Sequence, residues 1–246
     1  MQITDPADRS LIEAMGNDAE MRELTHRWFL ESCRYRYSYN FTWMGRPIIQ
    51  FPQDMLAFQE IVWEVKPDLI IETGIAHGGS LIYSASLLEL LGNEGRVVGI
   101  DIDIRSHNRA AIEAHPLAKR ITLIEGSSID TDIVQQVADI ASDYKNVLVV
   151  LDSNHTHDHV AEELALFSPL VTVGSYLIVY DTIIDDMPDE FFPDRPWGKG
   201  NNPKTAVRAF LTENPRFIID EIIEQKLLVT VAPSGYLKCV EGVGQE

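Results

Sequence analysis

Between Lys66 and Tyr180 the chain alternates short apolar runs with amphipathic stretches, and this alternation narrows the possible folds more than any other feature. The apolar runs are Leu69–Glu72, Arg96–Asp101, Ile121–Glu125, Val147–Leu151 and Tyr176–Tyr180. The stretches between them, Ser80–Leu91, 105–115, Ile129–Ser142 and Val160–Ser168, carry apolar residues at helical spacing. Val147–Leu151 (VLVVL) has no polar break, as expected of a strand buried on both faces. Strands alternating with helices at this spacing predict βαβ units and a parallel sheet. Right-handed crossovers then give an α/β, Rossmann-like, doubly wound fold.

The flanks differ from this centre. Residues 1–60 read as an N-terminal helical and aromatic extension, and residues 61–246 as the main domain. Leu11, Ile12, Met15, Met21, Leu24, Trp28 and Phe29 fall at helical spacing. Tyr35, Tyr37, Tyr39, Phe41 and Trp43 alternate with other residues, which suggests an extended segment with one apolar face. Residues 54–65 read as a helix with Asp54 as its N-cap. After Asp181, residues 182–203 are too rich in Pro, Gly and Asp for a regular element. Lys204–Glu213 reads as a helix, Phe217–Val231 as one or two strands and Gly235–Val240 as a last one. The turn signal Pro233-Ser234-Gly235 suggests that these ends form an antiparallel hairpin.

Composition excludes several classes. With 20 basic and 38 acidic residues the formal charge is −18, which argues against general affinity for nucleic acid or anionic lipid. Cys33 and Cys239 are the only cysteines, so a disulfide framework is not expected and a reducing compartment is. No run approaches a membrane span. The first ten residues show no basic start followed by an apolar stretch. These points together predict a cytoplasmic protein.

In open α/β sheets ligands sit at the carboxyl ends of the strands, and acids close four of the five runs: Glu72, Asp101, Asp152 and Asp181. The first run leads into Glu72-Thr73-Gly74-Ile75-Ala76-His77-Gly78-Gly79-Ser80, where Gly74, Gly78 and Gly79 admit close approach to the backbone and Ser80 can cap the next helix. The motif is not G-x-G-x-x-G, so the NAD fingerprint is absent. Asp101 stands where an acid accepts both hydroxyls of a ribose. Ser127 and Ser128 stand where they can border an adenine.

Trp43-Met44-Gly45-Arg46-Pro47, Gln50, Pro52-Gln53-Asp54, Glu60, Lys66-Pro67, ETGIAHGGS, GIDID, LDSNHTHDHV and the Gly-Ser-Tyr run before Asp181 together resemble the cephalosporin hydroxylase/rhamnosyl O-methyltransferase family over about residues 41–240. The resemblance implies a class I methyltransferase fold with seven strands, the last antiparallel. It implies S-adenosylmethionine (SAM), a divalent cation such as Mg²⁺, and O-methylation of a sugar or natural-product hydroxyl. By position, Glu72, Gly74, Gly78, Gly79 and Ser80 match the SAM loop, Asp101 the ribose acid, and Ser127 and Ser128 the adenine border. Asp152 matches a residue of the cofactor pocket that also serves as a metal ligand, and Asp181 a second metal ligand. The family usually has Glu-Asp where this chain has Tyr180-Asp181, so one carboxylate is missing, and Thr182 or Asp185 is expected to help. His155, three residues past Asp152, is the expected general base, as in metal-dependent catechol-type methyltransferases, which this chain also resembles here.

His155, His157 and His159 could suggest zinc, but no cysteine lies near, and His157 and His159 read as caps or packing residues. The loop 183–202, with Phe191, Phe192 and Trp197, is the expected lid over the acceptor. The resemblance and the Tyr/Trp-rich N-terminal segment imply a homo-oligomer. The rival readings are a role in hydroxylation and a non-catalytic SAM-binding partner.

Overall fold

The computed structural model describes residues 6–242, with side chains from Asp8 onward; the reading of residues 1–5 as free of a signal lies outside these. Two helices, α1 (Pro6–Asn17) and α2 (Ala19–Arg34), open the chain. Asp18 caps α2, its carboxylate accepting from the Met21 N–H at 2.9 Å. The aromatic stretch is not one extended segment. Tyr37–Asn40 forms a 3-10 turn, then β1 (Phe41–Trp43) and β2 (Arg46–Ile48) pair as a hairpin. Its two-residue connection, Met44-Gly45, has φ of 44° and 84°, the left-handed pair that matches strand twist.

Helix α3 spans Pro52–Val65 and starts two residues before the expected position. Asp54 is therefore not its cap. Pro52 supplies a first helical position that needs no N–H partner. Asp54 is buried and accepts from the Val231 N–H at 3.0 Å, the Tyr236 hydroxyl at 2.7 Å and the Thr230 hydroxyl.

The alternating centre folds as expected. β3 (Leu69–Thr73), β4 (Arg96–Asp101), β5 (Ile121–Glu125), β6 (Val147–Leu151) and β7 (Tyr176–Val179) are parallel. They are joined by α4 (Gly79–Leu91), α5 (Ser106–Glu113), α6 (Thr131–Ala141) and α7 (His157–Phe167). The tail adds α8 (Pro203–Glu213), β8 (Phe217–Ile219), α9 (Glu221–Leu227) and β9 (Tyr236–Cys239). The sheet order is β5-β4-β3-β6-β7-β9-β8, with β9 antiparallel to both neighbours. This is the seven-stranded sheet with an antiparallel last strand that the resemblance implied. The expected tight hairpin at residues 233–235 is instead a wide one, because α9 is inserted between β8 and β9. In Glu221–Leu227 the acids open the helix and Lys226 closes it, which suits its dipole.

Two apolar layers sandwich the sheet. One joins Ile70, Leu148 and Ile178 to Ile82, Tyr83 and Leu88 and continues into Phe29, Phe51 and Phe58 of the first sixty residues. The other joins Ile71, Val149 and Leu177 to Val137, Leu164, Phe167 and Val207. Strand order reverses between β3 and β6, which opens a crevice at the carboxyl ends of these strands.

Candidate active site

A cavity of about 530 Å³ occupies that crevice. One end is made of backbone. Gly74 has φ +89°, and a Cβ there would lie 2.1 Å from the Asp152 carbonyl oxygen. A Cβ on Gly79 would lie 2.1 Å from the Pro47 carbonyl oxygen, and one on Gly78 would meet Ile112 at 2.3 Å. These three glycines let the β3–α4 loop lie against β6, β2 and α5 at once. Asp101 holds the loop from the side: its Oδ2 accepts from the N–H groups of Ile75 (2.8 Å) and Ala76 (3.3 Å). Arg46 donates to the His77 carbonyl at 3.1 Å and to Asn108 at 3.0 Å, and Asn108 donates to the Ala76 carbonyl at 2.8 Å.

Ser80 lies in the first turn of α4 and not at its cap, a place taken by Gly78 in the left-handed conformation. The Ser80 hydroxyl donates to Glu72, which is buried behind it. Burial pushes the Glu72 carboxyl up to about 7. Gly74, Gly79, Ser80, Asp101 and Asp152 line the cavity, whereas Glu72 and Gly78 support it from behind. Ser127 and Ser128, beyond the end of β5, do not line it. Ser128 is buried, its hydroxyl 3.1 Å from His159 Nε2.

The middle of the cavity is ionic. Asp152, His155 and Asp181 each bring one ligand atom within 4.8 Å of the other two. His155 Nε2 is 3.2 Å from Asp181 Oδ2. Asp181 sits at φ +56°, a strained setting for a side chain. It is held by the bonds from the Ile183 N–H to the Val231 carbonyl (3.1 Å) and from the Ile184 N–H to its own carbonyl (3.2 Å). Burial, then the charges of Asp181, Glu72 and Glu163, push the Asp152 carboxyl well above the usual carboxylate range. Such a crowd of acids is relieved by a cation.

Thr182 does not join this trio. It is fully buried and its hydroxyl donates to the Pro233 carbonyl at 2.8 Å. Asp185 is also committed, accepting from the Gly200 N–H (3.1 Å), Asn202 (2.8 Å) and Arg208 (2.8 Å). His157 pairs with the Thr205 hydroxyl at 2.8 Å, and His159 lies 3.3 Å from the Ser153 hydroxyl and 3.6 Å from Glu163.

The far end is made of side chains from irregular segments. Trp197 meets the His155 ring edge-on at 4.8 Å, and Arg195 lies over Trp197 at 5.0 Å. Arg36 lies over Tyr39 at 4.3 Å, and Phe191 and Phe192 complete the wall. Gln50 is buried and lines the cavity, and its Oε1 has no hydrogen-bond partner. Sequence reading gave no role to Arg36 or Arg195, because no motif or periodicity marks them, and it placed Tyr39 only in the aromatic alternation.

The donor set fits the implied groups. Two carboxylates and an imidazole suit a divalent cation. The glycine cradle, the acid at Asp101 and the unpartnered Gln50 oxygen suit an adenosyl amino acid with hydroxyl and ammonium donors.

A sequence model of the family described as Rhamnosyl O-methyltransferase/CmcI matches residues 35–240. A rhamnosyl O-methyltransferase from Mycobacterium bovis is 32% identical over 217 residues, covering 86% of this chain and 82% of that one. The Mycobacterium leprae rhamnosyl O-methyltransferase is 30% identical over 214 residues, covering 86% and 87%. Among solved structures, a CmcI chain with Mg and SAM superposes with a TM-score of 0.57 at 18% identity, covering 82% of this chain and 78% of that one. An O-methyltransferase from Bacillus cereus in complex with SAH superposes with a TM-score of 0.53 at 16% identity, covering 86% and 87%. The fold is that of these methyltransferases, and the chain belongs to the rhamnosyl O-methyltransferase/CmcI family, as a SAM-dependent O-methyltransferase.

Proposed function

We propose that the cavity transfers a methyl group from SAM to a hydroxyl of a saccharide or sugar-bearing natural product, with a divalent cation at Asp152 and Asp181. The observation that carries this reading is the Asp152–His155–Asp181 trio on the wall of the same cavity as Gly74, Gly79 and Asp101. SAM would be held by the β3–α4 loop, Asp101 and Gln50, and it supplies an electrophilic methyl group. The cation, bound to Asp152 and Asp181, supplies Lewis acidity that lowers the pKa of an acceptor hydroxyl.

The chain's own residues do the rest. His155, paired with Asp181 and in edge-on contact with Trp197, would take the hydroxyl proton at a ring nitrogen. Trp197, Phe191 and Phe192 exclude water and aim the acceptor, which matters because methyl transfer depends on in-line approach. Glu72 and Ser80 keep the loop rigid from behind. Ser127 and Ser128 contribute to the adenine side only through the β5–α6 connection. The donor set has one imidazole and two carboxylates, unlike the two imidazoles and one carboxylate of iron oxygenases, so hydroxylation is disfavoured.

The first sixty residues act as an extension that closes the acceptor end, since Phe29, Tyr37 and Tyr39 reach the cavity wall. Exposed Tyr35, Trp63 and Leu11 support self-association. No helix among the described residues is long and apolar enough to cross a membrane; we place the enzyme in the cytoplasm, and its charge of −18 disfavours nucleic-acid binding. The test is formation of S-adenosylhomocysteine (SAH) from SAM on a panel of free and glycosidic deoxysugars, with and without a chelator. Metal-dependent turnover on a sugar hydroxyl is expected. Turnover that chelation leaves unchanged would remove the cation from the mechanism.

A further inference from the structure

The cavity is bipolar: besides Asp101, Asp152 and Asp181 it is lined by Arg36 and Arg195. In a chain of charge −18, several basic side chains are held by carboxylates: Arg109 by Glu125, Arg120 by Glu89, Lys204 by Asp186 and Arg208 by Asp185. Arg36 and Arg195, which line the cavity, are not. Among the described residues, each guanidinium has an aromatic ring as its partner and no carboxylate. They come from segments far apart in sequence, yet both line the one cavity that holds Asp152, His155 and Asp181.

An arginine lying over a ring keeps its in-plane N–H groups free, and that fork matches the two oxygens of a carboxylate or phosphate. Arg195 and His155 both contact the Trp197 ring, at 5.0 Å and 4.8 Å from its centroid, so an anion held by Arg195 lies on the same side of the cavity as the reacting hydroxyl. The negative field of the whole chain repels anions from a distance, so an anionic acceptor needs such local cations. A neutral acceptor does not.

We propose that the acceptor is an anionic saccharide, its carboxylate or phosphate forked by Arg36 and Arg195 while its hydroxyl lies at Asp152, His155 and Asp181. The proposal rests on the methyltransferase reading of the same cavity and names its substrate class.

The test is isothermal titration of the full chain, loaded with SAH and Mg²⁺, with three probes: methyl glucuronide, glucose 1-phosphate and neutral methyl glucoside. At least one anion is expected to bind about tenfold or more tighter than the glucoside. The anion that binds tells carboxylate from phosphate. In Arg36→Gln and Arg195→Gln that advantage should shrink to about threefold or less, with SAH affinity unchanged and with partial recovery in the lysine variants. Equal affinity for the three probes, or no binding of any of them, overturns the proposal. So does a loss of SAH affinity in the arginine variants, since the arginines would then hold the carboxylate of the cofactor. If the unaltered chain fails to bind SAH, the methyltransferase reading fails instead, and the same three titrations on the unloaded protein still decide the preference for anions.

Discussion

The two halves of the cavity are built by different means. The end proposed for the cofactor is largely main chain at the ends of β3, β4 and β6, placed by hydrogen bonds and by the space that glycines leave open. The acceptor half is side chain, carried by the 3-10 turn at residues 37–40 and by the strap from Asp181 to Asn202. The strap is tied down by Asp185, Asn202 and the bond from the His157 N–H to Asn201 at 2.9 Å. A backbone-built site tolerates no added atom. A side-chain-built site tolerates replacement, so on the proposed reading the acceptor preference is the part of the site that substitution can change.

The sharpest break of this contrast is Gly74→Ala. Its Cβ would collide with the Asp152 carbonyl at a positive φ, so the variant should lose SAH binding and about 2–4 kcal/mol of stability, read by titration and by denaturant unfolding. Asp181→Asn comes next. It should lower kcat by about 10³-fold while leaving SAH affinity intact, separating the metal position from the cofactor half. His155→Gln should lower kcat by about 10²-fold. Unchanged Mn²⁺ affinity in that variant, measured by electron paramagnetic resonance, assigns His155 as base, and a large loss of affinity makes it a ligand.

A smaller effect concerns the support of the strap. Asp54 ties α3 to residues 230–236, and the Val231 carbonyl in turn holds the Ile183 N–H. Burial pushes the Asp54 carboxyl from 3.8 up to about 6. The folded state therefore keeps a proton that the unfolded chain releases, and the stabilisation, fully present below pH 3.8, is lost as pH rises to about 6. The loss is on the order of 3 kcal/mol. Melting temperature should fall across that window, and Asp54→Asn should remove part of the fall, the remainder coming from Glu72 and Asp152. The smallest effect belongs to Trp197→Ala, which should raise the acceptor KM by about tenfold and leave SAH binding unchanged. An equal loss of SAH affinity would erase the distinction between the halves.

What could be read beforehand follows the same division. The strands were legible because runs such as Val147–Leu151 are buried on both faces. The strand-end acids were legible because a parallel sheet puts its carboxyl ends on one edge. Gly74 and Gly79 stood out because glycines after a strand mark close approach. Asp54 was misread because its partners, Thr230, Val231 and Tyr236, lie some 180 residues away, and a carboxylate near a helix start looks like a cap. Residues 221–227 were taken for strand because Ile222 and Ile223 weigh towards β structure, whereas the flanking charges suit a short helix. Thr182 was drawn to the metal by its neighbour Asp181, but the left-handed turn at Asp181 points the two residues to different partners. Arg36 and Arg195 gave no signal, since what singles them out is their place over an aromatic ring on the cavity wall, a property of packing.

The central claim is that one cavity holds SAM on its backbone end and a cation at Asp152 and Asp181. Calorimetric titration with SAM and with SAH, each with and without Mg²⁺, on the unaltered chain and on Asp181→Asn tests it most directly. The account predicts micromolar binding of both nucleosides to both proteins, and Mg²⁺ uptake by the unaltered chain alone. Absence of SAM and SAH binding under either condition would contradict it.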